Sequence, residues 1–258
     1  MMSTYNDIGI GNKLDWLRIR KLFIIGIFAA CMVLVGDMLL GWGMHDGNKA
    51  GIEGFLSAYI GLPDARILWS AMLGFIGIPL EALCYFGVYR LIAPYSDKLA
   101  HQYRSGILGV LAFAGCGVHV PCLACVYVYK YFMQISPDTA ESICVKFGLY
   151  FLLPGMIVFF VFWIIQHVAH IRAFAKGYTP YPKWCWMFCP AVGMAVTMLL
   201  KFIPETPLRN AITAGWISIG NLWMFLGLLI MMKKARKREE TANFVREYTL
   251  GSGGRTAA

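Results

Sequence analysis

A chain of 258 residues that is 59% hydrophobic, 15% aromatic and only 14% charged lacks the surface of a water-soluble domain, where about a quarter of residues carry charge. Its net charge of +9 brings no nucleic-acid partner, because the basic residues flank apolar runs and no nucleic-acid motif accompanies them. The composition points to the lipid bilayer as the chain's solvent and partner.

A spanning helix needs about 20 largely apolar residues. In chain order, six segments meet that need: 22–42, 67–92, 107–131, 147–171, 184–203 and 210–232. The first run begins at Lys21 after a polar stretch, with no small-residue cleavage site behind it, so it reads as a permanent helix and not a signal peptide. The prediction is an all-α integral membrane bundle of six transmembrane helices. Residues 1–20 form a cytoplasmic segment, 21–237 the bundle, and 238–258 a cytoplasmic, disordered tail.

Lys and Arg set the orientation. Seventeen fall in the segments on the N-terminal side, from Lys13 and Arg18 to Arg246 and Arg255, and six on the other side. Both termini are therefore predicted inside. Ile52–Leu62 has helical period and is expected as a helix in the longest outer connection. Pro94, Pro137, Pro180, Pro182, Pro204 and Pro207 fall in connections, where proline stops helices. A three-plus-three inverted arrangement is compatible with the pattern, without residue-level similarity between halves.

Polar groups at membrane depth are costly, which makes each a candidate. Asp37 lies in the outer third of the first helix. Its carboxyl either serves a ligand or reaches the outer interface. Glu81, two residues after Pro79, is well inside the second helix, as a ligand or proton site or as a hydrogen-bonded tie between helices. His119 lies mid-way along the third helix. It reads either as a group that exchanges a proton near neutral pH or as an imidazole bonded to a backbone carbonyl. Asn221, in Gly215-Trp216-Ile217-Ser218-Ile219-Gly220-Asn221, reads first as an interhelical hydrogen bond. Glu81, His119 and Asn221 fall at similar depths. No Lys or Arg falls inside a span, so a proton, metal ion or cationic small molecule is the expected counter-charge.

Cys116, His119, Cys122 and Cys125 recur every three residues. That spacing fans them across one broad helix face, a weak pattern for a metal because zinc sites usually draw on two separated elements. No metal is predicted, and cofactors are left open. The eight cysteines lie mostly in apolar runs, against a disulfide framework. His167 and His170 are expected at the cytoplasmic interface.

The runs Gly36-Asp37-Met38-Leu39-Leu40-Gly41-Trp42, Gly77-Ile78-Pro79-Leu80-Glu81, Gly117-Val118-His119-Val120-Pro121-Cys122 and Gly215–Asn221 together resemble a family of bacterial multi-pass, six-helix membrane proteins with no assigned chemistry. The resemblance covers Lys21 to about Lys237 and implies a bacterial cytoplasmic membrane. Alkaline-ceramidase-type hydrolases, by contrast, need a paired-histidine motif in a late helix, and the last two helices hold no histidine. Three functions stay open at this point: a small-molecule or ion- and proton-handling carrier or ligand-binding bundle, a membrane-embedded enzyme acting on a lipid or isoprenoid-like substrate, and a structural or regulatory subunit.

Overall fold

The computed structural model describes residues 14–252. Among the described residues every regular element is helical. In order they are α1 (Trp16–Gly41), α2 (Gly51–Ile60), α3 (Asp64–Cys84), α4 (Phe86–Ile92), α5 (Asp97–Phe113), a π-helical turn (Ala114–His119), α6 (Val120–Ile135), α7 (Pro137–Phe147), a second π turn (Gly148–Leu152), α8 (Leu153–Ala175), a 3-10 helix (Lys183–Phe188), α9 (Pro190–Met198), a second 3-10 helix (Leu199–Phe202), α10 (Pro207–Ala214) and α11 (Trp216–Ser252). Among the described residues, five continuous runs are long and apolar enough to cross a membrane: Trp16–Gly41, Asp64–Ile92, Asp97–Ile135, Pro137–Ala175 and Trp216–Ala242. The predicted span 184–203 is in pieces, because Pro190 interrupts it and starts α9 after an extended Cys189.

Local chemistry explains several ends. Asp15 caps α1 by accepting from the Arg18 N–H at 2.9 Å, and Thr206 caps α10 by accepting from Arg209 N–H at 3.1 Å; such caps stabilise by about 1 kcal/mol. Pro137 and Pro207 start helices instead of stopping them, because the first turn has no use for their missing N–H. Each π turn runs up to a proline, Pro121 or Pro154. Proline offers no N–H to the carbonyl four residues back and crowds it, and widening one turn by a residue relieves both faults. The predicted Ile52–Leu62 helix is present as α2.

α1 packs between α3 and α11, α5 lies along α8, α9 lies along α11, and the 3-10 helix Lys183–Phe188 touches both α8 and α11. Between helices in lipid, close packing replaces the hydrophobic effect, and small residues permit it. A Cβ at Gly155 would stand 2.2 Å from the Gly117 carbonyl oxygen, and one at Gly26 2.7 Å from the Phe225 ring. On the outside, Leu68, Trp69, Phe75 and Ile76 of α3 are exposed, as a lipid-facing surface requires. Trp16 Nε1 donates to Glu239 Oε2 at 2.5 Å, so the start of α1 and the far part of α11 meet at one end of the bundle. Arg18, Arg90 and Arg104 gather at that end too.

Two expectations are corrected. α11 passes the boundary read at Lys237 and continues to Ser252, so the stretch of the tail up to that residue is helical; Arg236 and Glu240 pair at 2.9 Å one turn apart, a spacing that supports a charged helix. Residues 1–13 and 253–258, where the rest of the two terminal segments falls, lie outside the described residues. His167 and His170 are buried, 5% and 0% exposed, because α5 and the 3-10 helix Lys183–Phe188 cover this end of α8.

Candidate functional site

Asp37, Glu81, His119 and Asn221 line one interior chamber of about 150 Å³. They come from α1, α3, the first π turn and α11. The chamber holds no Lys or Arg in its wall; the rest is largely apolar and aromatic, with Tyr85, Phe159 and Trp163 on its floor. Asp37, His119, Cys122 and Ala214 also line an outer cavity of about 590 Å³. The two spaces therefore meet at Asp37 and His119.

His119 owes its place to a glycine. A Cβ at Gly74 would fall 1.9 Å from His119 Nε2, so the imidazole fills the notch left on α3. From there Nε2 stands 3.0 Å from the Ser70 carbonyl oxygen. A carbonyl only accepts, so Nε2 carries the proton and Nδ1 keeps its lone pair. The carbonyl bond foreseen for a structural histidine and the free nitrogen needed for proton exchange thus occur on one ring.

Asp37 accepts a hydrogen bond from Ser218 Oγ at 2.6 Å. Gly215, where α10 passes into α11, lets α11 approach: a Cβ there would meet Leu34 Cδ1 at 2.4 Å and lie 3.7 Å from Asp37 Oδ2. Asn221 and Glu81 face the chamber together, and the two side chains are 2% and 4% exposed. Their hydrogen-bonding capacity is unmet, because Glu81 Oε1 and Asn221 Oδ1 have no partner. Buried polar atoms are nearly always satisfied, by protein or by water.

The four cysteine–histidine positions diverge. Cys116 is exposed and Cys122 opens on the cavities, while Cys125 turns to a separate cluster with Tyr129 and Cys144. Among the described residues no three His, Cys, Asp or Glu side chains are grouped to hold a metal ion.

At the outer mouth the structure assembles a polar staple that sequence reading missed. His45 donates through its backbone N–H to Glu205 Oε1 at 3.1 Å, and His45 Nδ1 stands 2.5 Å from the same oxygen. Asn210 Nδ2 donates to Glu205 at 2.6 Å and to the Gly43 carbonyl at 2.8 Å. Arg209 in turn donates to Asn210 Oδ1 at 2.9 Å. The Asn210 amide, and then His45, hold the Glu205 carboxyl down at about 2. Separated by 160 residues, His45 and Glu205 carry no shared local signal. The outer cavity has Lys201 and Arg209 in its wall, so its rim is basic and its depth acidic.

No curated protein and no solved structure is matched by the chain. A family model matches residues 4–235, and the chain accordingly belongs to the family of unknown function DUF6796.

Proposed function

We propose that this chain crosses a bacterial cytoplasmic membrane six times with both termini inside, and that its interior chamber binds a proton or a small cationic ligand, as a carrier or ligand-binding bundle. The observation that carries the ligand reading is the chamber wall: two carboxyls, a histidine with a free nitrogen and an amide converge with no protein cation to neutralise them. Burying an uncompensated charge is expensive, and a proton or cation is the counter-charge the wall leaves room for. The chamber has room for about five waters at their liquid volume, which suits a proton, a hydrated ion or a small amine. The outer cavity falls in the size range of small-molecule sites and supplies the approach.

Support for six crossings comes from the Trp16–Glu239 contact, since an even number returns the chain to its starting side. The broken segment 183–202, with ten residues at 3-10 rise and nine at α rise, reaches about 33 Å, enough for a bilayer core. The clustered basic residues mark that end as cytoplasmic. A phosphatase reporter that works only outside, fused after Ser57, is expected to be active, and one fused after Lys237 silent. The reverse pattern sinks the orientation.

The binding test is thermal unfolding of purified protein titrated with Na⁺, K⁺, methylammonium and guanidinium across pH. Saturating probe at about 100 times Kd stabilises by about 2.7 kcal/mol, a rise of roughly 5–10 °C for a chain this long. Glu81→Gln should remain folded and lose the response. An unchanged response in that variant, or none in the native chain, removes the chamber as a ligand site.

One observation favours a second reading. The outer cavity joins aromatic and aliphatic walls (Phe55, Tyr59, Trp216, Leu40) to Asp37 and His119, which suits an enzyme acting on a lipid or isoprenoid-like substrate, His119 Nδ1 serving as base. Product formation from membrane lipids by the purified chain, lost in His119→Ala, supports that reading over the carrier. A purely structural subunit is disfavoured by the unpartnered oxygens of Glu81 and Asn221, since polar ties between helices work by being satisfied.

A further inference from the structure

Beneath the chamber floor, toward the basic end, lies a second buried polar group. Trp163, which lines the chamber, lies tilted against His167 with ring centroids 3.8 Å apart. The Trp163 carbonyl stands 2.6 Å from His167 Nδ1. As with His119, the carbonyl fixes the proton, here on Nδ1, and leaves Nε2 as the lone-pair nitrogen. His170 follows one turn later, fully buried, stacked on Phe174 at 4.5 Å and tilted against Tyr103 of α5 at 6.2 Å.

This region is rich in unmet hydrogen-bonding capacity. His167 Nε2, both ring nitrogens of His170 and Gln166 Oε1 have no partner. A neutral imidazole always carries one N–H, so a dry His170 would waste a donor and an acceptor together. Buried polar atoms are normally satisfied, and where protein does not serve them ordered water does. Such a concentration of unmet atoms marks the region as hydrated. Side chains join this region to the chamber: Trp163 lines the chamber and lies against His167, and Tyr103, tilted against His170, shares one buried cluster with Tyr85 of the chamber wall. Tyr103 of α5 is in ring contact with His170, and the 3-10 helix packed on this end of α8 carries the titratable Lys183 and Cys185, with Cys189 following it.

We propose that His167 and His170 form a second proton station on the cytoplasmic side of the chamber floor, hydrated and joined to the chamber through Trp163, Tyr103 and Tyr85. His167 Nε2 takes a proton from water on the chamber side through its lone pair and returns it to water beside His170, so the ring ends each cycle unchanged. A mobile proton carried by water and imidazole suits two histidines at membrane depth. The inference rests on the proton-handling reading of the chamber.

Two measurements test it on the full chain. The first is deuterium exchange at the imidazole C2–H by mass spectrometry in lipid nanodiscs. His167 and His170 should exchange within about tenfold of the exposed His101, and slower exchange means a dry site and overturns the proposal. The second is proton uptake into proteoliposomes holding a pH-sensitive dye, driven by a potassium diffusion potential. The native chain should take up protons. Glu81→Gln and His167→Asn/His170→Asn should each lose about tenfold or more of the rate. If the histidine variant conducts like the native chain while Glu81→Gln is silent, the station is wrong and the chamber reading stands. If Glu81→Gln conducts normally while the histidine variant is silent, the chamber reading fails and the station stands. A silent native chain overturns both. His170→Gln alone replaces the double variant if the latter does not fold, with the same expected loss.

Discussion

The Gly74 notch is the most exacting test of the site's geometry. A methyl at Gly74 would lie 1.9 Å from His119 Nε2, so the ring must retreat by about 1.5 Å to reach ordinary contact, with over-packing the alternative. Retreat breaks the 3.0 Å bond to the Ser70 carbonyl and leaves a partly buried donor unmet. Over-packing and a lost buried hydrogen bond together cost about 2–4 kcal/mol, or roughly 5–15 °C in Tm for a chain of this size. His119→Ala removes the ring and should cost only about 1–2 kcal/mol. Once the ring is gone, Gly74→Ala has nothing to strike, and the double variant should be about as stable as His119→Ala alone. The assay is a double-mutant cycle by thermal unfolding in detergent, with an expected coupling of about 2–4 kcal/mol, the whole cost of Gly74→Ala alone. Additivity within about 0.5 kcal/mol refutes the idea that the glycine exists to seat the imidazole.

Other predictions follow from close contacts and the outer staple. Gly155→Ala, which drives a Cβ against the Gly117 carbonyl at 2.2 Å, should destabilise by about 1–3 kcal/mol, whereas Gly47→Ala, with nothing within 4 Å, should change Tm by little. The Glu205 carboxyl, held at about 2 against an ordinary 4.5, is ionised in the folded chain over a wider range than in the unfolded one. Its contribution is therefore full above about pH 5 and is lost as pH falls toward 2. Melting curves of native and Glu205→Gln protein should differ at neutral pH and converge in that acid window; a constant difference refutes it. Cys144 Sγ donates to the Cys125 carbonyl at 3.5 Å, which brings α6 and α7 close at two thiols. Treatment with a thiol oxidant should join these two and remove two hydrogens from the mass. Separate peptides for Cys125 and Cys144 after oxidation count against the contact.

The apolar runs announced five helices clearly, because length and hydropathy are local properties that the chain carries in any fold. Their ends were less legible. α7 begins at Pro137, ten residues before the predicted 147, since Ser136-Pro137-Asp138 is a helix start whose polarity hid it from an apolar reading. Depth along each helix placed Glu81, His119 and Asn221 on one level, and the chamber brings them together. Ser218 and Gly74, which orient two of the candidates, were not singled out: a serine beside glycines and a lone glycine carry no chemistry until a neighbour is known. His167 and His170 were misread because their place near the end of an apolar run suggested an interface, while their cover comes from α5 and residues 183–188, elsewhere along the chain.

What places His119 at the chamber is a chain of small backbone consequences. Pro121 cannot close the turn behind it, the helix widens into a π turn over Ala114–His119, and the extra residue rotates everything before it relative to a regular helix. Gly117 within that turn meets Gly155 of α8 at contact distance, so α5, the turn and α8 share a wall. The turn ends on the one imidazole that Gly74 can receive. A regular helix through the same residues would send His119 along a different radius and leave the Ser70 carbonyl and the chamber without it. The proline, the two close-packed glycines and the notch glycine are therefore one device. A variant that restores regular helix, Pro121→Ala, should move His119 away from Ser70 even though no chamber side chain is altered, and loss of the Nε2–H tautomer that its carbonyl bond fixes would be the mark of it. If His119 keeps the same tautomer by nitrogen NMR in Pro121→Ala, the π turn follows from the site's packing and is not its cause.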